Sequence, residues 1–330
     1  MQAAYIEETG GPEQIRIGTL PDPSAGAGEV LIQVKAASVN PIDTYIRGGL
    51  VAMELPVPFV IGSDLAGEVL ALGEGVTGWS VGDQVWASNQ GLLGRQGTTS
   101  EQACVAADYL HPIPEGVSEE EAAAVALVGI TAHIGLVHRA KVQAGETVLV
   151  NGGAGGVGSM VVQISKALGA RVIATAGSDE RVAKAKEFGA DAVIQYRAED
   201  VAARVQELAP EGVNVFWETR READFEWAVP LLAKRGRMVV MAGREARLVF
   251  PVGPFYVKDC ELHGFAMFNY SAAEQQQCGA DLNRWLAEGQ LRANIDRVLP
   301  LNEAAAAHQL QEENTIHGAG TLAGKIILKP

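Results

Sequence analysis

A glycine-rich stretch in the middle of the chain constrains the fold more than any other feature of the sequence. Gly153, Gly155 and Gly158 form a G-x-G-x-x-G pattern that follows the apolar run 147–150 and precedes a helix-like run, 159–168. Glycine permits a sharp turn and a close approach of the backbone to a pyrophosphate, and a helix N-terminus presents free N–H groups to an anion. The stretch therefore predicts a dinucleotide-binding turn. The alternative is a strand-to-helix turn that binds no ligand.

The sequence around this stretch alternates strand-like and helix-like segments. The strand candidates are TVLVNG, RVIATAG, DAVIQY, NVFWET and RMVVMAG, with LHGFAMF as the last one. The helix candidates between them are GSMVVQISKALG, DERVAKAKEFG and EDVAARVQELAP, each of which ends at glycine or proline. A repeated strand-helix-strand order predicts a parallel, doubly wound sheet, so the chain is expected to be an α/β protein.

The segments on either side of this region have a different pattern. Before about residue 124 the apolar runs are short and alternate with polar residues, which predicts strands of a mostly antiparallel, barrel-like domain. A helix is expected to begin at Glu119, with Ser118 as its N-cap and Glu121 as the capping-box partner. After about residue 271, two helices and the strand GKIILKP are too short for a domain of their own. We predict one domain from 1–124 and 269–330, and a nucleotide-binding domain at 125–268.

Composition excludes several classes of function. The formal net charge of −14 argues against a nucleic-acid backbone as the main partner, because such binding needs a cationic surface. Cys104, Cys260 and Cys278 are too few and too far apart for a disulfide framework or a four-cysteine zinc lobe. The N-terminus has no signal-peptide pattern, and no apolar window approaches the length of a membrane span. We expect a cytoplasmic protein with a small-molecule substrate and no membrane or nucleic-acid partner.

The end of the second predicted strand bears on the choice of cofactor. An NAD site usually has an aspartate or glutamate there, about 20 residues beyond the first glycine, to bind the ribose hydroxyls. This chain has Ala176 and Gly177 instead, followed by Ser178 and Arg181, while Tyr196 follows the third strand. Because arginine can bind a phosphate with two hydrogen bonds, the pattern favours NADPH.

Two alternatives to this assignment remain open. Arg181 could be a solvated helix residue paired with Asp179 or Glu180. Asp179 could also bind the ribose of NAD.

Motifs spread over nearly the whole chain accompany the glycine pattern. They are VKAASVNPIDTYIRGG, PFVIGSDLAGEVLALGEGV, VGDQVW, GITA, VLVNGGAGGVG, FGADAVIQYR and IHGAGTLAGKIIL. In their order and spacing the chain resembles the medium-chain dehydrogenase/reductase superfamily, and within it the zinc-free quinone oxidoreductases of the zeta-crystallin type. The resemblance implies a GroES-like, mostly β N-terminal catalytic domain and a Rossmann domain that binds NADPH.

At the positions where zinc-bearing relatives have their zinc ligands, this chain has other residue types. Those relatives have a cysteine where this chain has Asn40, and a His-Glu pair where it has Ser63 and Asp64. Zinc needs three or four converging ligands, and the six histidines show no paired ligand spacing. We therefore predict no metal. Without a Lewis acid, the feasible reaction is hydride transfer from the nicotinamide to an acceptor that stabilises its own developing negative charge, such as a quinone or an α,β-unsaturated ketone.

The resemblance also implies roles for individual residues. Asn40, Pro41 and Asp43 would lie beside the nicotinamide, and Tyr45 and Arg47 would orient a substrate or donate a proton. The other cofactor contacts would be Thr131 at the carboxamide, Gly155, Gly156 and Val157 at the pyrophosphate, Gly177, Ser178, Arg181 and Tyr196 at the 2′-phosphate, Ala242 and Gly243 at the ribose, Ala266, Met267 and Phe268 at the nicotinamide side, and Lys325 at the far rim.

Several of these residues also have a purely structural interpretation. Tyr45 could pack its ring between strands. Asp43 could cap or turn the chain, and Asn40 could satisfy backbone groups in the same turn. Met267 and Phe268 lie in an apolar segment and could belong to the core or to a subunit interface.

Two segments depart from the family pattern. The loop NQGLLGRQ at 89–96 is particular to this chain, and the segment 97–102 replaces the family's glycine-tyrosine-alanine-glutamate turn. After the fourth parallel strand, WETRREADF replaces an aspartate and glycine turn. It places Glu218 and two arginines near the expected cofactor, so a cofactor contact at Thr219 stays open.

The sequence favours one function and leaves two others. The favoured function is an NADPH-dependent oxidoreductase that reduces quinones or related conjugated carbonyls without a metal. The alternatives are a 2-alkenal or enone double-bond reductase and a non-catalytic NADPH-binding protein. The resemblance also implies a homodimer in which the strand around 262–268 pairs with its symmetry mate, since an exposed apolar edge strand otherwise favours aggregation.

Overall fold

The chain divides into two units. The computed structural model describes all residues, Met1–Pro330. The first unit consists of Met1–Ile130 and Tyr270–Pro330, and the second of Thr131–Asn269. The boundaries predicted from the sequence, after residues 124 and 268, lie near this division. The first of them falls inside the helix Glu119–His133.

The structure contains sixteen strands and nine α-helices. The strands are β1 (Gln2–Ile6), β2 (Arg16–Thr19), β3 (Glu29–Val39), β4 (Phe59–Val60), β5 (Asp64–Leu72), β6 (Gln84–Ala87), β7 (Gln102–Ala106), β8 (Leu110–Pro112), β9 (Thr147–Asn151), β10 (Arg171–Ala176), β11 (Ala192–Gln195), β12 (Val213–Glu218), β13 (Leu232–Val240), β14 (Glu261–Gly264), β15 (Ile295–Pro300) and β16 (Lys325–Lys329). The helices are α1 (Pro41–Arg47), α2 (Glu119–His133), α3 (Gly156–Ala167), α4 (Asp179–Glu187), α5 (Val201–Leu208), α6 (Phe225–Leu231), α7 (Val252–Val257), α8 (Ala272–Ala287) and α9 (Ala304–Thr315).

The first unit is built on two largely antiparallel sheets. One has the order β2-β1-β4, and the other has the order β15-β16-β3-β5-β6-β8, with β7 paired to β3. Val30, Ile32 and Val34 alternate along β3 and are all buried, as the period-two pattern of the sequence predicts. β16 pairs antiparallel with β3, with Ile326 opposite Val39, so the C-terminal tail extends the sheet of this unit.

The second unit contains a six-stranded parallel sheet. Its order is β11-β10-β9-β12-β13-β14, and helices connect successive strands. The chain starts at β9, runs to the edge at β11 and returns to β12 on the other side of β9. This order confirms the predicted doubly wound fold. Ligands of such sheets bind beyond the carboxyl ends of the strands where the direction reverses, which here is between β9 and β12.

Several local predictions can be compared with the structure. The N-cap of α2 is confirmed: the hydroxyl of Ser118 accepts from the Glu121 N–H at 3.3 Å, and the Glu121 carboxylate accepts from the Ser118 N–H at 3.1 Å. The segment LHGFAMF is not one strand, because β14 ends at Gly264 and a 3-10 turn follows at Met267–Asn269. The sequence interpretation missed α1, α6 and α7, which have six or seven residues each.

One helical run contradicts the expectation that no apolar segment has the length of a membrane span. The run Glu119–Arg139 is long and apolar enough to cross a membrane by length and composition alone, although no such window was expected. Of its apolar window, 78% is buried inside the protein. Burial of this extent is typical of a core helix in a soluble protein.

Candidate functional site

The glycine loop connects β9 to α3 in the second unit. β9 ends at Asn151, and Gly155 is the N-cap of α3. Gly152 has a φ of 86°, which favours glycine, and the Gly153 N–H donates to the carbonyl oxygen of Thr175 at 3.0 Å. The loop is therefore held against β10 by its main chain.

The three glycines of the motif differ in how much space a side chain would find around them. A Cβ on Gly158 would lie 2.0 Å from the carbonyl oxygen of Gly152, and one on Gly153 would lie 2.6 Å from the Cβ of Ala174. Gly155 is exposed, and the nearest atom to its Cβ would be 3.5 Å away, an ordinary contact. Packing thus requires glycine at two positions, while Gly155 leaves the N-terminus of α3 open. This geometry fits a pyrophosphate, whose oxygens need close backbone approach.

The residues predicted at the 2′-phosphate lie together at the end of β10. The ring of Tyr196 covers Gly177, where a Cβ would meet the Tyr196 hydroxyl at 2.3 Å. Ser178 is the N-cap of α4, and its hydroxyl accepts from the Arg181 N–H at 3.3 Å. Arg181 is half-buried, and Asp179 is exposed at the start of the same helix. The structure thus brings the four residues together at the carboxyl end of β10.

A polar chain behind the glycine loop was missed by the sequence analysis. The Thr175 hydroxyl donates to Asn151 Oδ1 at 2.7 Å, and Asn151 Nδ2 donates to the buried carboxylate of Glu218 at 2.9 Å. Arg220 Nη2 donates to the same carboxylate at 2.9 Å. The Thr219 hydroxyl donates a hydrogen bond to the carbonyl oxygen of Asn151. The charged turn after β12 therefore ties three strand ends together, which explains the presence of Glu218 there.

The predicted ribose residues line a small cavity beyond β12 and β13. The cavity has a volume of about 190 Å³. Its lining residues are Arg220, Arg221, Ala223, Phe225, Val240, Ala242, Gly243, Ala246 and Leu248. A Cβ on Gly243 would lie 2.2 Å from the carbonyl oxygen of Arg221, so this turn is closely packed. The cavity combines an apolar wall with two guanidinium groups.

A buried polar network lies at the N-terminus of α1 in the first unit. Asn40 Nδ2 donates to Asp64 Oδ2 at 2.8 Å, and the Asn40 N–H donates to Asp43 Oδ2 at 2.8 Å. The Ser63 hydroxyl donates to the other oxygen of Asp43. Lys325 Nζ donates to Asn40 Oδ1 and, at 2.7 Å, to the carbonyl oxygen of Val39. Asn40 and Asp43 were predicted beside the nicotinamide and Lys325 at the far rim, whereas the structure brings all three into one cluster.

Burial controls the protonation of this network. It raises the pKa of Asp43 to about 7, an effect opposed by the hydrogen bond from Ser63 and increased by the charge of Asp64. Burial also raises the pKa of Asp64, against the charge of Lys325. The pKa of Lys325 is lowered by burial, against the attraction of both carboxylates. The network therefore contains one lysine amino group and two carboxyls, of which Asp43 has a pKa near neutral pH.

Arg47 lies at the other end of α1 and is only 1% exposed. Its guanidinium forms an ion pair with Glu312 of α9. Burial, followed by the charge of Arg47, lowers the pKa of the buried His308 to about 3. Arg47 thus joins α1 to α9, and a contact between Arg47 and a substrate stays a prediction. Tyr45 is half-buried on the same helix.

Apart from Pro41, which is the first residue of α1, the remaining predicted residues lie in the second unit. Thr131 and Met267 are buried, while Ala266 and Phe268 are half-buried. Their contacts with a cofactor stay predictions.

One histidine pair corrects the sequence analysis. Four residues separate His133 and His138 in the sequence, a spacing that zinc-binding histidines use, and their rings lie 5.4 Å apart. The reason is the π-helical turn Ile134–Arg139, which puts residues five apart on the same face.

Comparisons with known proteins identify similar chains and folds. Residues 26–115 match the family described as alcohol dehydrogenase GroES-like domain, and residues 156–285 match the family described as zinc-binding dehydrogenase. The human protein named quinone oxidoreductase is 32% identical over 330 residues, which cover 99% of this chain and 97% of the human protein.

Two solved structures are similar over the full length of this chain. Escherichia coli quinone oxidoreductase complexed with NADPH has a TM-score of 0.85 at 28% identity, with 100% of both chains covered. A protein described as an NAD-dependent alcohol dehydrogenase has a TM-score of 0.90 at 30% identity, also with 100% of both chains covered.

Proposed function

This chain belongs to the quinone oxidoreductases of the medium-chain dehydrogenase/reductase superfamily, and we propose that it transfers hydride from NADPH to quinones or related conjugated carbonyls without a metal ion. The observation that carries the proposal is the buried amino group of Lys325, which donates to Asn40. A lysine side chain thus occupies the network in which zinc-bearing relatives have their ligands. An acceptor that carries its own negative charge after reduction needs no Lewis acid.

The donor set does not fit the zinc ion that one matching family description implies. Zinc in proteins is bound by cysteine thiolates, imidazoles and carboxylates, three or four at a time. Of Asn40, Ser63 and Asp64, only Asp64 offers a carboxylate, and hydrogen bonds from Asn40 and Ser88 already occupy both of its oxygens. The proposed reaction therefore contains no step through a metal.

The second unit supports NADPH as the cofactor. Gly155 leaves backbone room at the N-terminus of α3, where a pyrophosphate would bind. Ser178, Arg181 and Tyr196 surround the end of β10, where an NAD site usually has an acidic side chain. When bound, NADPH would supply the hydride, which carries both electrons of the reaction. The similarity to the protein described as NAD-dependent keeps NADH as a second candidate, with Asp179 as its ribose ligand.

The first unit would supply orientation and proton control. The carboxylate of Asp43 accepts hydrogen bonds from the Asn40 N–H and from the Ser63 hydroxyl. These two bonds fix the N-terminus of α1. Because the pKa of Asp43 is about 7, one proton can reside on its carboxyl group or leave it at neutral pH. Burial lowers the pKa of Lys325 against the attraction of the two carboxyls, and its Nζ holds the side chain of Asn40 in place.

The experiment is an assay of NADPH oxidation by the purified protein with menadione and with an α,β-unsaturated ketone. We expect turnover with at least one acceptor, no loss of activity after treatment with a strong chelator, and no stoichiometric zinc in elemental analysis. Activity that disappears on chelation and returns with zinc would contradict the proposal that the reaction needs no metal ion. NADPH binding without turnover of any carbonyl acceptor would favour the non-catalytic alternative.

Product analysis separates the two enzymatic alternatives. A quinone reductase forms a semiquinone or hydroquinone, whereas an enone reductase forms a saturated ketone from the same cofactor. The cofactor preference is tested by NADPH and NADH titrations of wild type and Arg181→Ala. Unchanged NADPH affinity in the variant would contradict the assignment of Arg181 to the 2′-phosphate.

We also propose a homodimer that forms along β14 and a cytoplasmic location. β14 is an edge strand of the parallel sheet, and Leu262 on it is 40% exposed. Val252, Tyr256 and Val257 of α7 are more than half exposed and add apolar surface in the same unit. Light scattering should give twice the protomer mass for wild type and the single mass for Leu262→Lys. A single mass for both would contradict the dimer.

A further inference from the structure

The loop NQGLLGRQ, which departs from the family pattern, contains an unusual asparagine. Asn89 has a φ of 63°, in the left-handed region, and its side chain is 1% exposed. Asparagine tolerates this backbone conformation better than most residues. Such a conformation persists only where the surrounding structure enforces it, and it is enriched at functional sites.

The loop is held rigidly around Asn89. Arg95 donates to the carbonyl oxygen of Asn89 through Nε at 3.2 Å and Nη2 at 2.7 Å, and its guanidinium lies 5.0 Å from the centre of the Tyr109 ring. The Gly91 N–H donates to the carbonyl oxygen of Gln96 at 2.9 Å. These contacts fix the main chain of Asn89 but leave its side chain without a role.

The neighbours of Asn89 connect it to the buried network of the first unit. The Ser88 hydroxyl donates to Asp64 Oδ1 at 2.6 Å, and the Gln90 N–H donates to the carbonyl oxygen of Ser63 at 3.1 Å. Asn89 therefore lies between two residues that are bonded to Ser63 and Asp64. The proposed reaction assigns the same network to orientation and proton control.

The amide of Asn89 is buried without a hydrogen-bond partner. Neither Oδ1 nor Nδ2 contacts a donor or acceptor of the protein. Leaving buried polar atoms unpaired destabilises a fold, so such atoms in a native protein call for a specific reason. A rigid, buried amide beside a candidate active site is suited to a ligand oxygen.

We propose that Asn89 Nδ2 donates a hydrogen bond to the carbonyl oxygen of the quinone or enone acceptor, an inference that rests on the proposed function. Hydride from NADPH adds to the acceptor, the carbonyl oxygen becomes a phenolate or enolate oxygen, and a proton from water neutralises it. The products are NADP⁺ and the two-electron-reduced acceptor. Asn89 forms and breaks no covalent bond; its donor stabilises the oxygen as negative charge develops there.

The test compares Asn89→Gly and Asn89→Asp with wild type. Glycine tolerates the φ of 63° and removes the amide, whereas aspartate keeps the shape but offers only acceptors and a negative charge. Removal of one such donor typically lowers kcat about 100-fold, so we expect a loss of about 100-fold with menadione for Asn89→Gly. The loss should be larger for Asn89→Asp, and NADPH affinity should be unchanged in both.

Leu93→Gly is the matched control. Leu93 lies in the same loop with a φ of 53°, but its side chain is 64% exposed. We expect wild-type kcat and KM for this variant. If Asn89 only supported the loop, aspartate would preserve activity better than glycine. That order, or wild-type activity in both Asn89 variants, would overturn the proposal and leave an ordered water as the partner of the amide.

A binding measurement makes the test independent of turnover. The absorbance shift of p-nitrophenolate on the NADP⁺ complex reports binding of a phenolate oxygen. We expect a shift for wild type and Leu93→Gly, a weaker one for Asn89→Gly and none for Asn89→Asp. Equal shifts in all four proteins would overturn the role of Asn89. A wild type that binds p-nitrophenolate but reduces no acceptor would contradict only the proposed reaction.

Discussion

The glycine loop of the second unit and the polar network of the first unit are built from different parts of the chain. The loop consists of main chain from consecutive residues, and Gly155 leaves it open. The network consists of side chains: Asn40 and Asp64 are 24 positions apart, and Asn40 and Lys325 are 285 apart. Asn40, Asp43, Ser63 and Asp64 are nearly inaccessible. One region would thus recognise a ligand through the shape of its main chain, whereas the other consists of buried ionisable side chains that depend on one another.

The two regions also differ in how they respond to change. In the loop, a substitution changes the space available to the backbone, so its effect depends on the clearance around one Cβ. In the network, a substitution leaves a buried charge without its partner, which is costly wherever it occurs. Substitutions in the network should therefore destabilise the protein more than substitutions at an open position of the loop.

Lys325→Met is expected to have the largest effect on stability. It leaves Asp43 and Asp64 buried without a cation, and loss of one partner from a buried ion pair typically costs about 3–5 kcal/mol of unfolding free energy. Urea denaturation measures it. Lys329→Met is the matched control, because Lys329 is on the same strand but its ion pair with Glu120 is exposed. Such surface pairs contribute about 0–1 kcal/mol. Equal losses in both variants would contradict a special role for the network.

Acid should destabilise the protein through buried imidazoles of the first unit. Burial lowers the pKa of His111 from 6.5 to about 4. Between these pH values the unfolded chain binds the proton and the folded protein does not, so the unfolding free energy falls as the pH drops from 6.5 to 4. The total for His111 is about 3 kcal/mol, since one pKa unit corresponds to about 1.4 kcal/mol.

Urea denaturation across this pH range, in wild type and His111→Phe, measures the contribution of His111. Asp43 acts in the opposite direction: its raised pKa lets the folded protein bind more protons between pH 4 and 7, which destabilises it as the pH rises. Asp43→Asn should therefore make the loss of stability on acidification steeper. A pH slope that neither substitution changes would show that these groups do not control it.

Gly158→Ala tests the closed part of the glycine loop. Its Cβ would lie 2.0 Å from the carbonyl oxygen of Gly152, a backbone atom that cannot move without shifting the loop. Overpacking of this kind typically costs about 1–3 kcal/mol. Thermal or urea unfolding measures it, and NADPH affinity should fall as well. A variant as stable as wild type would mean that the loop can relax around the added methyl group.

Gly155→Ala tests the open part of the same loop and should have the smallest effect on stability. Its Cβ would have 3.5 Å of clearance, so we expect the unfolding free energy to change by less than about 1 kcal/mol. NADPH affinity should fall about tenfold, or about 1.4 kcal/mol, because the methyl group would occupy the space of a phosphate oxygen. Unchanged affinity, measured by fluorescence titration, would mean that the pyrophosphate does not approach this residue.

Much of the fold was predictable because its signals are local. The strand and helix periodicities of the second unit, the glycine pattern and the Ser118–Glu121 capping box each act over a few residues, and the structure confirms them. Short helices such as α1 were missed, although Asn40, Pro41 and Asp43 form a recognisable helix start. Seven residues are too few for a clear periodic pattern.

Local sequence patterns specify the parallel sheet and its glycine turn, because backbone preferences and residue types can be identified without knowing the neighbours, and the family resemblance adds the replacement of zinc ligands at Asn40 and Ser63. Tertiary packing was needed to show that Lys325 donates to Asn40, that Arg47 is buried against Glu312 and that the Asn89 amide lacks a partner. These contacts join residues far apart in the chain, and strand register and burial select them. Sequence spacing carries no information about such distances.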